Sequence, residues 1–349
     1  MFTLPVITGF AIGALFGAVG LLSGFCLMSG LRDWWTLGDR GKIRSYAVAV
    51  AVAVIGTQFI ASAGIVEIAK SLYLQPSFSA PLIFAGGLLF GLGMVLSNGC
   101  ASRALVLLGK GNLRSLVVIA IIGVTAQMTL KGLLAPMRLW LLQSTQMTPG
   151  ANSLPSLFGA FGLSDVAARS AATLIVSGVL LAFALSHREF RRKPGQLVAG
   201  VVMGLLVIVG WLATGWLGAD EFDPIPVASL TFVSPAADTL QFIMLSTGMT
   251  LNFGIALVAG VFIGSLLTAM LTGRFAFEGY TSARQTGRSM AGAALMGIGG
   301  AMAYGCSIGQ GLTGVSTLAL PSFVAAAGIV SGAAIAIRGL ALRPVFAAQ

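Results

Sequence analysis

Two of the chain's three cysteines stand in matched settings. Cys100 lies in "SNGCASRALVLLG" (residues 97–109) and Cys306 in "YGCSIGQGLTGVSTLAL" (residues 304–320). Each follows a glycine and precedes an apolar run too short to cross a membrane. A helix that begins just after a cysteine turns unpaired backbone N–H groups, and the positive end of its dipole, toward the thiol. Such a place binds an anion without buried lysine or arginine, and releases it readily. Ser97, Asn98, Ser102, Ser307 and Gln310 add hydroxyl and amide donors, while Gly99, Gly305 and Gly309 let the backbone come close. The thiol itself is a weak, polarizable S–H donor suited to another sulfur. Weak contacts suit a relay, because each site on a conducting path must be easy to leave. The chemistry expected is the binding of a small anion, with a soft, sulfur-like end, at Cys100 and Cys306.

Other chemistries find few residues. Three cysteines with no C-x-x-C pair make no disulfide framework and no haem or iron–sulfur spacing. The single histidine, His187, stands beside "REFRRK" in a basic loop, which leaves no histidine-based triad and no His-rich metal site. No cofactor or metal is expected, and no enzyme. A membrane redox or sulfur-handling subunit using the cysteines as thiolates is the alternative from another class. It would need a nearby cation, which Arg103 could supply, and a resolving thiol.

The elements that must position these residues are helices in a membrane. The chain has 349 residues, 57% of them hydrophobic and 9% charged, against roughly 25% charged in an ordinary soluble domain. Apolar runs of ~18 or more residues recur along it, and the short alternating segments of a barrel do not occur. The fold class expected is an all-α polytopic membrane protein forming one transmembrane domain over residues 1–349. Nine spans fit, at approximately 5–27, 45–69, 81–99, 115–136, 170–187, 197–217, 251–272, 290–305 and 322–341. The first stretch lacks a basic leader region and a small-residue cleavage site, so it reads as a span and not as a signal peptide.

A net charge of +10 suggests nucleic acid less than topology. Alternate loops hold 16 of the 20 Lys and Arg residues, while the loop with Asp220, Glu221, Asp223 and Asp238 holds none. The positive-inside rule then puts the N-terminus outside and the C-terminus in the cytoplasm. A soluble sulfurtransferase-type partner receiving cargo on the cytoplasmic side fits this orientation, and nucleic acid does not. Three apolar stretches, roughly 101–109, 235–249 and 309–320, are too short to span. They are expected as re-entrant half-helices or amphipathic surface helices, the pattern that points to a transporter's binding site.

The two glycine-cysteine units also align with each other. At a constant offset of 206, Gly86, Gly91, Gly93, Gly99 and Cys100 meet Gly292, Gly297, Gly299, Gly305 and Cys306. On the topology above the two units run in opposite directions, as in an inverted repeat of a half with the Cys100 unit (1–150) and a half with the Cys306 unit (190–349). A weaker similarity, "GALFG" at 13–17 and "GVFIG" at 260–264, reads as two small-residue packing faces. Cys26 sits in "SGFCLMSGLRDW" at the end of the first span, where Arg32 and Asp33 are expected to pair. Glu67 pairs with Lys70 or both snorkel, Lys131 snorkels, and no carboxylate chain suggests a proton relay.

The segments "FGLGMVLSNGCASRALVLLGKGNLRSL", "LMGIGGAMAYGCSIGQGLTGVSTLAL" and "GFCLMSGLRD" resemble the YeeE/YedE family of bacterial membrane proteins over essentially the whole chain. The resemblance implies thiosulfate uptake in the inner membrane and about nine spans with short helices pinched like an hourglass. It also implies three pore cysteines, here Cys26, Cys100 and Cys306, that pass the anion by transient S–H···S hydrogen bonds. Arg103, inside the expected half-helix, bears on anion preference. Selenium- or sulfite-type anions are the alternative cargo within the family.

Overall fold

The computed structural model describes residues 3–219, 225–280 and 282–341. The acidic residues Asp220, Glu221 and Asp223, and Arg343, lie outside them. Fifteen helices follow in order among the described residues. They are α1 (Leu4–Ser23), α2 (Leu27–Arg32), α3 (Gly41–Ser62), α4 (Ala80–Leu96), α5 (Ala101–Gly109) and α6 (Leu113–Leu130). Then come α7 (Ala135–Thr145), α8 (Leu154–Ala160), α9 (Asp165–Leu185), α10 (Arg188–Arg191) and α11 (Pro194–Gly215). The last four are α12 (Val233–Met244), α13 (Phe253–Leu271), α14 (Ala283–Met302) and α15 (Leu320–Ala341). No β-strand forms among the described residues, and eight helical segments are long and apolar enough to cross a membrane. The chain is an all-α polytopic membrane protein. α14 is of membrane-spanning length at 20 residues, but Arg284 and Arg288 in its first turns lower its apolar character.

Several helix starts are written in side chains. Ser79, Asn112, Asn252 and Ser282 each accept a hydrogen bond from the backbone N–H three residues on, at 3.2, 3.3, 2.9 and 3.3 Å. Each removes one of the donors that a helix start leaves unpaired.

Glycine faces bring the long helices together. α4 and α14 cross antiparallel, with Gly86 against Gly299 and Ala303, and Gly93 against Gly292 and Met296. A Cβ on Gly86 would stand 2.7 Å from Ala303 N, and one on Gly299 would stand 2.5 Å from Gly86 O. α1 and α13 instead run parallel, Gly13 meeting Leu257 and Val261, Gly17 meeting Val261 and Ser265, and Gly260 and Gly264 meeting Ala14. The "GALFG" and "GVFIG" segments are therefore the two faces of one helix contact. α4 also packs parallel to α15, and α3 to α11, through glycines. With no water to expel between lipid-exposed helices, this close approach is what holds such bundles together.

The three short apolar stretches differ from one another. Residues 101–109 form α5, and 235–249 largely form α12, whose Pro235, Ala236 and Ala237 are buried while Ile243 and Met244 are exposed. Residues 309–320 open as a π-helical turn over Gly309–Gly314, with Leu312 and Thr313 both donating to Ile308 O (3.0 and 2.9 Å). Three glycines within six residues relax the backbone enough for that wider turn. A further break separates α1 from α2 at Gly24, whose φ of 66° is the left-handed geometry that ends a helix. The expected first span, 5–27, runs straight through this point, and no expected element corresponds to α7, α8 or α10.

Candidate functional site

The two cysteine units share one backbone. Ser97 N donates to Gly93 O (3.0 Å), as Ala303 N does to Gly299 O (2.9 Å). Gly99 N donates to Met94 O and Gly305 N to Gly300 O, both at 2.9 Å. Ala104 N donates to Cys100 O (2.9 Å) and Gln310 N to Cys306 O (2.8 Å). Each pair is related by the same shift of 206 residues. The shift also relates Asn98 and Tyr304, two of the three non-glycine residues with positive φ among the described residues, at 57° and 56°. Left-handed backbone at a side-chain-bearing residue is sparsely populated. Its recurrence at the same offset marks both turns as built to one plan: a helix closes at a left-handed residue, and a cysteine opens the next short helix.

Cys26 repeats the last step. It has extended backbone (φ −167°, ψ 130°) and precedes α2, as Cys100 (φ −87°, ψ 173°) precedes α5. The two breaks meet. Cys26 Sγ lies 3.8 Å from Cys100 Sγ, and Cys100 Sγ lies 3.2 Å from Ser102 Oγ. Cys306 Sγ accepts from the Gly309 amide at 3.3 Å. All three thiols are free, buried and part of one continuous core.

The other sequence candidates divide. Ser102, Ser307 and Gln310 are buried beside the thiols' own turns, at 4, 0 and 2% exposure. Gln310 Nε2 donates to Ala303 O (2.6 Å), while Gln310 Oε1 and Ser307 Oγ are buried with no protein partner. Such orphaned polar atoms are uncommon and mark places where a further ligand fits. Ser97 serves packing instead, its hydroxyl donating to Ser289 O (3.0 Å) across the α4–α14 crossing. Asn98 is exposed, and its Oδ1 accepts from Arg32 Nη1 (3.0 Å). Gly99 and Gly305 close the preceding helices, and Gly309 supplies the amide at Cys306.

Two residues join the site that the spacing did not point to. The Tyr46 hydroxyl donates to Ser307 O at 2.6 Å, and its ring stacks on Phe25 with centroids 5.6 Å apart. Tyr46 thus ties the Cys26 segment to the Cys306 segment. The signal was a tyrosine within a span in a chain with only four. Arg103, named only for its charge, folds over the Cys100 turn toward the α1–α2 break. A Cβ on Gly99 would lie 3.6 Å from Arg103 Cδ, and one on Gly24 would lie 4.0 Å from Arg103 Nη1. Nearby, Asp33 is held by Arg32 (3.2 Å) and Lys42 (2.6 Å). Glu67 pairs with Lys70 at 2.5 Å on an exposed surface. No group of His, Cys, Asp and Glu suited to a metal ion occurs among the described residues.

This arrangement defines a class: a polytopic helical membrane protein whose interior sets buried thiol, hydroxyl and amide groups at the starts of broken helices. The chain matches the family described as "Sulphur transport" over residues 22–335 and belongs to it. It is 28% identical over 321 residues to a protein of Escherichia coli (strain K12) named thiosulfate transporter TsuA, covering 88% of this chain and 86% of that one. A protein of the same name from Spirochaeta thermophila is 26% identical over 336 residues, covering 93% of this chain and 96% of its own.

Proposed function

We propose that this protein takes up thiosulfate, or a closely related sulfur anion, across the bacterial inner membrane, and that Cys26, Cys100 and Cys306 relay it as neutral thiols. The observation that carries the reading is the pair of sulfur atoms 3.8 Å apart at the starts of two broken helices. Helix-start dipoles stabilise the negative charge, and the S–H groups meet the terminal sulfur of the anion. A fixed, fully buried cation would hold a dianion too tightly to pass it on. Arg103, half-buried, draws the anion toward the Cys26–Cys100 pair without trapping it. The names of both relatives support thiosulfate as cargo.

The matched turns and the antiparallel α4–α14 crossing support two inverted halves (1–150 and 190–349), with α14 as a ninth span. The loop charges support an outside N-terminus and a cytoplasmic C-terminus. A soluble sulfurtransferase-type protein would then meet the anion inside. Expression in an uptake-deficient bacterium tests the reading through sulfur-limited growth on thiosulfate. Growth no better than the empty vector, with the protein in the membrane, contradicts it. Competition of labelled uptake by sulfite or selenite separates the cargo alternatives.

The 3.8 Å contact also favours a second reading, in which Cys26 resolves an oxidised Cys100 in a redox subunit. Uptake that persists under a strong thiol reductant supports the relay, and its loss supports the redox pair.

A further inference from the structure

A polar cavity lies apart from the thiols, where α3, α9, α10 and α11 meet. It has a volume of about 540 Å³, and its walls include Arg40, Arg44, Lys193, His187, Asp39 and Glu189. Arg44, 4% exposed, is the one buried Lys or Arg among the described residues. Its Nη1 donates to Ala184 O (3.3 Å) and Ser186 Oγ (3.5 Å), and its guanidinium lies over the Phe183 ring at 5.3 Å. Its Nε–H is buried without a partner, and Arg40, Arg44 and Lys193 form no ion pair among the described residues. Of the two carboxylates, Asp39 is already engaged, accepting from Gly41 N at 2.8 Å where α3 begins. The cavity therefore sets three cations and the positive end of a 22-residue helix against two carboxylates, an excess of positive charge, and holds one buried unpartnered donor. The Arg44 guanidinium, buried this deeply, is costly unless something satisfies it.

The surroundings indicate the form of the anion. α3 starts, α9 ends and α11 starts at this level, so the cavity sits at one face of the membrane. Trp34 and Trp35 precede it, tryptophans being typical of that depth. Leu37, at its rim, is 76% exposed, and Leu185 and Val198 on the adjoining helix ends are exposed as well. An apolar surface thus runs from the cavity toward the hydrocarbon. Glu189, a carboxylate in the cavity wall, can accept from a headgroup hydroxyl. α10 is pinned beside the cavity by the buried Phe190.

We propose that this cavity binds the phosphate of an acidic phospholipid with a hydroxylated headgroup, with its acyl chains along the exposed apolar residues. Basic pockets between membrane helices bind such headgroups through the same chemistry. The site shares no residue with the cysteine path and does not depend on the cargo.

The test uses the full chain in detergent, with melting followed against short-chain phosphatidylglycerol, short-chain phosphatidylcholine and inorganic phosphate. Native mass spectrometry of the co-purified lipid accompanies it. The expected result is retention of one phosphatidylglycerol, and a rise in melting temperature that phosphatidylcholine and phosphate do not give at equal concentration. In Arg40→Gln/Lys193→Gln, both exposed and free to change without unfolding, half-saturation moves up by about thirtyfold, as two lost cation contacts imply. Arg44→Gln, if it folds, gives at least as large a loss. Equal binding by the double variant, or equal stabilisation by phosphatidylcholine, overturns the proposal. Inorganic phosphate matching phosphatidylglycerol overturns the lipid assignment in favour of a soluble phosphoryl ligand.

Discussion

The Cys100 and Cys306 turns have the same backbone hydrogen bonds and different surroundings. Cys100 opens a regular nine-residue helix, faces a second sulfur at 3.8 Å, and has Ser102 and Arg103 close by. Cys306 opens a glycine-rich π-helical turn, accepts from its own chain's Gly309 amide, and lies among neutral, fully buried groups. The anchoring of the two short elements differs in the same sense. The loop after α5 is fastened by charge, Glu278 accepting from Lys110 (3.1 Å) and Asn112 (2.7 Å). The chain after the π-helical turn is fastened by neutral backbone bonds, Leu154 N to Leu318 O and Leu320 N to Asn152 O, both at 2.9 Å. The shared backbone sets where the thiols stand. The side chains make the surroundings of Cys100 charged and paired, and those of Cys306 neutral.

The largest effect is expected where the two turns depend on one contact. Gly93→Val and Gly299→Val each place side-chain atoms where a Cβ already meets backbone, within 2.8 Å of Met296 N and 2.6 Å of Phe90 N. Overpacking of this kind costs about 1–3 kcal/mol or more. Both variants should lower thermal stability alike, and a large loss in only one would break the equivalence of the units. Tyr46→Phe comes next, affecting mainly the Cys306 side. Loss of its hydrogen bond to the buried Ser307 carbonyl should cost about 1 kcal/mol in a melting experiment and reduce thiosulfate uptake. Unchanged stability and uptake would remove Tyr46 from the account.

Arg103→Gln tests the charged surroundings of Cys100. Half-saturation for thiosulfate should rise several-fold, with a weaker dependence on salt, while the folded yield is unchanged. The smallest effect is the pH response of the clamp after α5. The hydrogen bond and charge of Lys110 hold the Glu278 carboxyl below its usual value, so folding gains stability above the ordinary carboxylate range. That gain is complete above about pH 4.5 and is lost as pH falls through the lowered folded value. Glu278 is partly exposed, so the melting shift should be modest. Glu278→Gln should flatten the acid limb, and an unchanged limb would assign acid sensitivity elsewhere.

The helical membrane fold was legible because long apolar runs admit few alternatives. The equivalence of Cys100 and Cys306 was legible because the glycines that let α4 and α14 touch recur at one offset. The contact of Cys26 with Cys100 was not, since it depends on the break at Gly24, and a lone glycine in a glycine-rich span gives little warning. Tyr46 was missed for a similar reason, its role coming from a bond across 261 positions. Ser97 looked like a donor for the anion because it stands near Cys100 in sequence. Its hydroxyl instead faces the crossing helix, because α4 ends between Ser97 and Cys100 at the left-handed Asn98, so the two do not share a helix face.

The central claim is that neutral thiols at equivalent turns carry the anion. Uptake of labelled thiosulfate into proteoliposomes tests it most directly, comparing the parent with Cys100→Ala and Cys306→Ala at matched amounts of folded protein. The account predicts that each variant alone loses most of the uptake while its melting temperature stays close to the parent's. Parental uptake by both variants would contradict it.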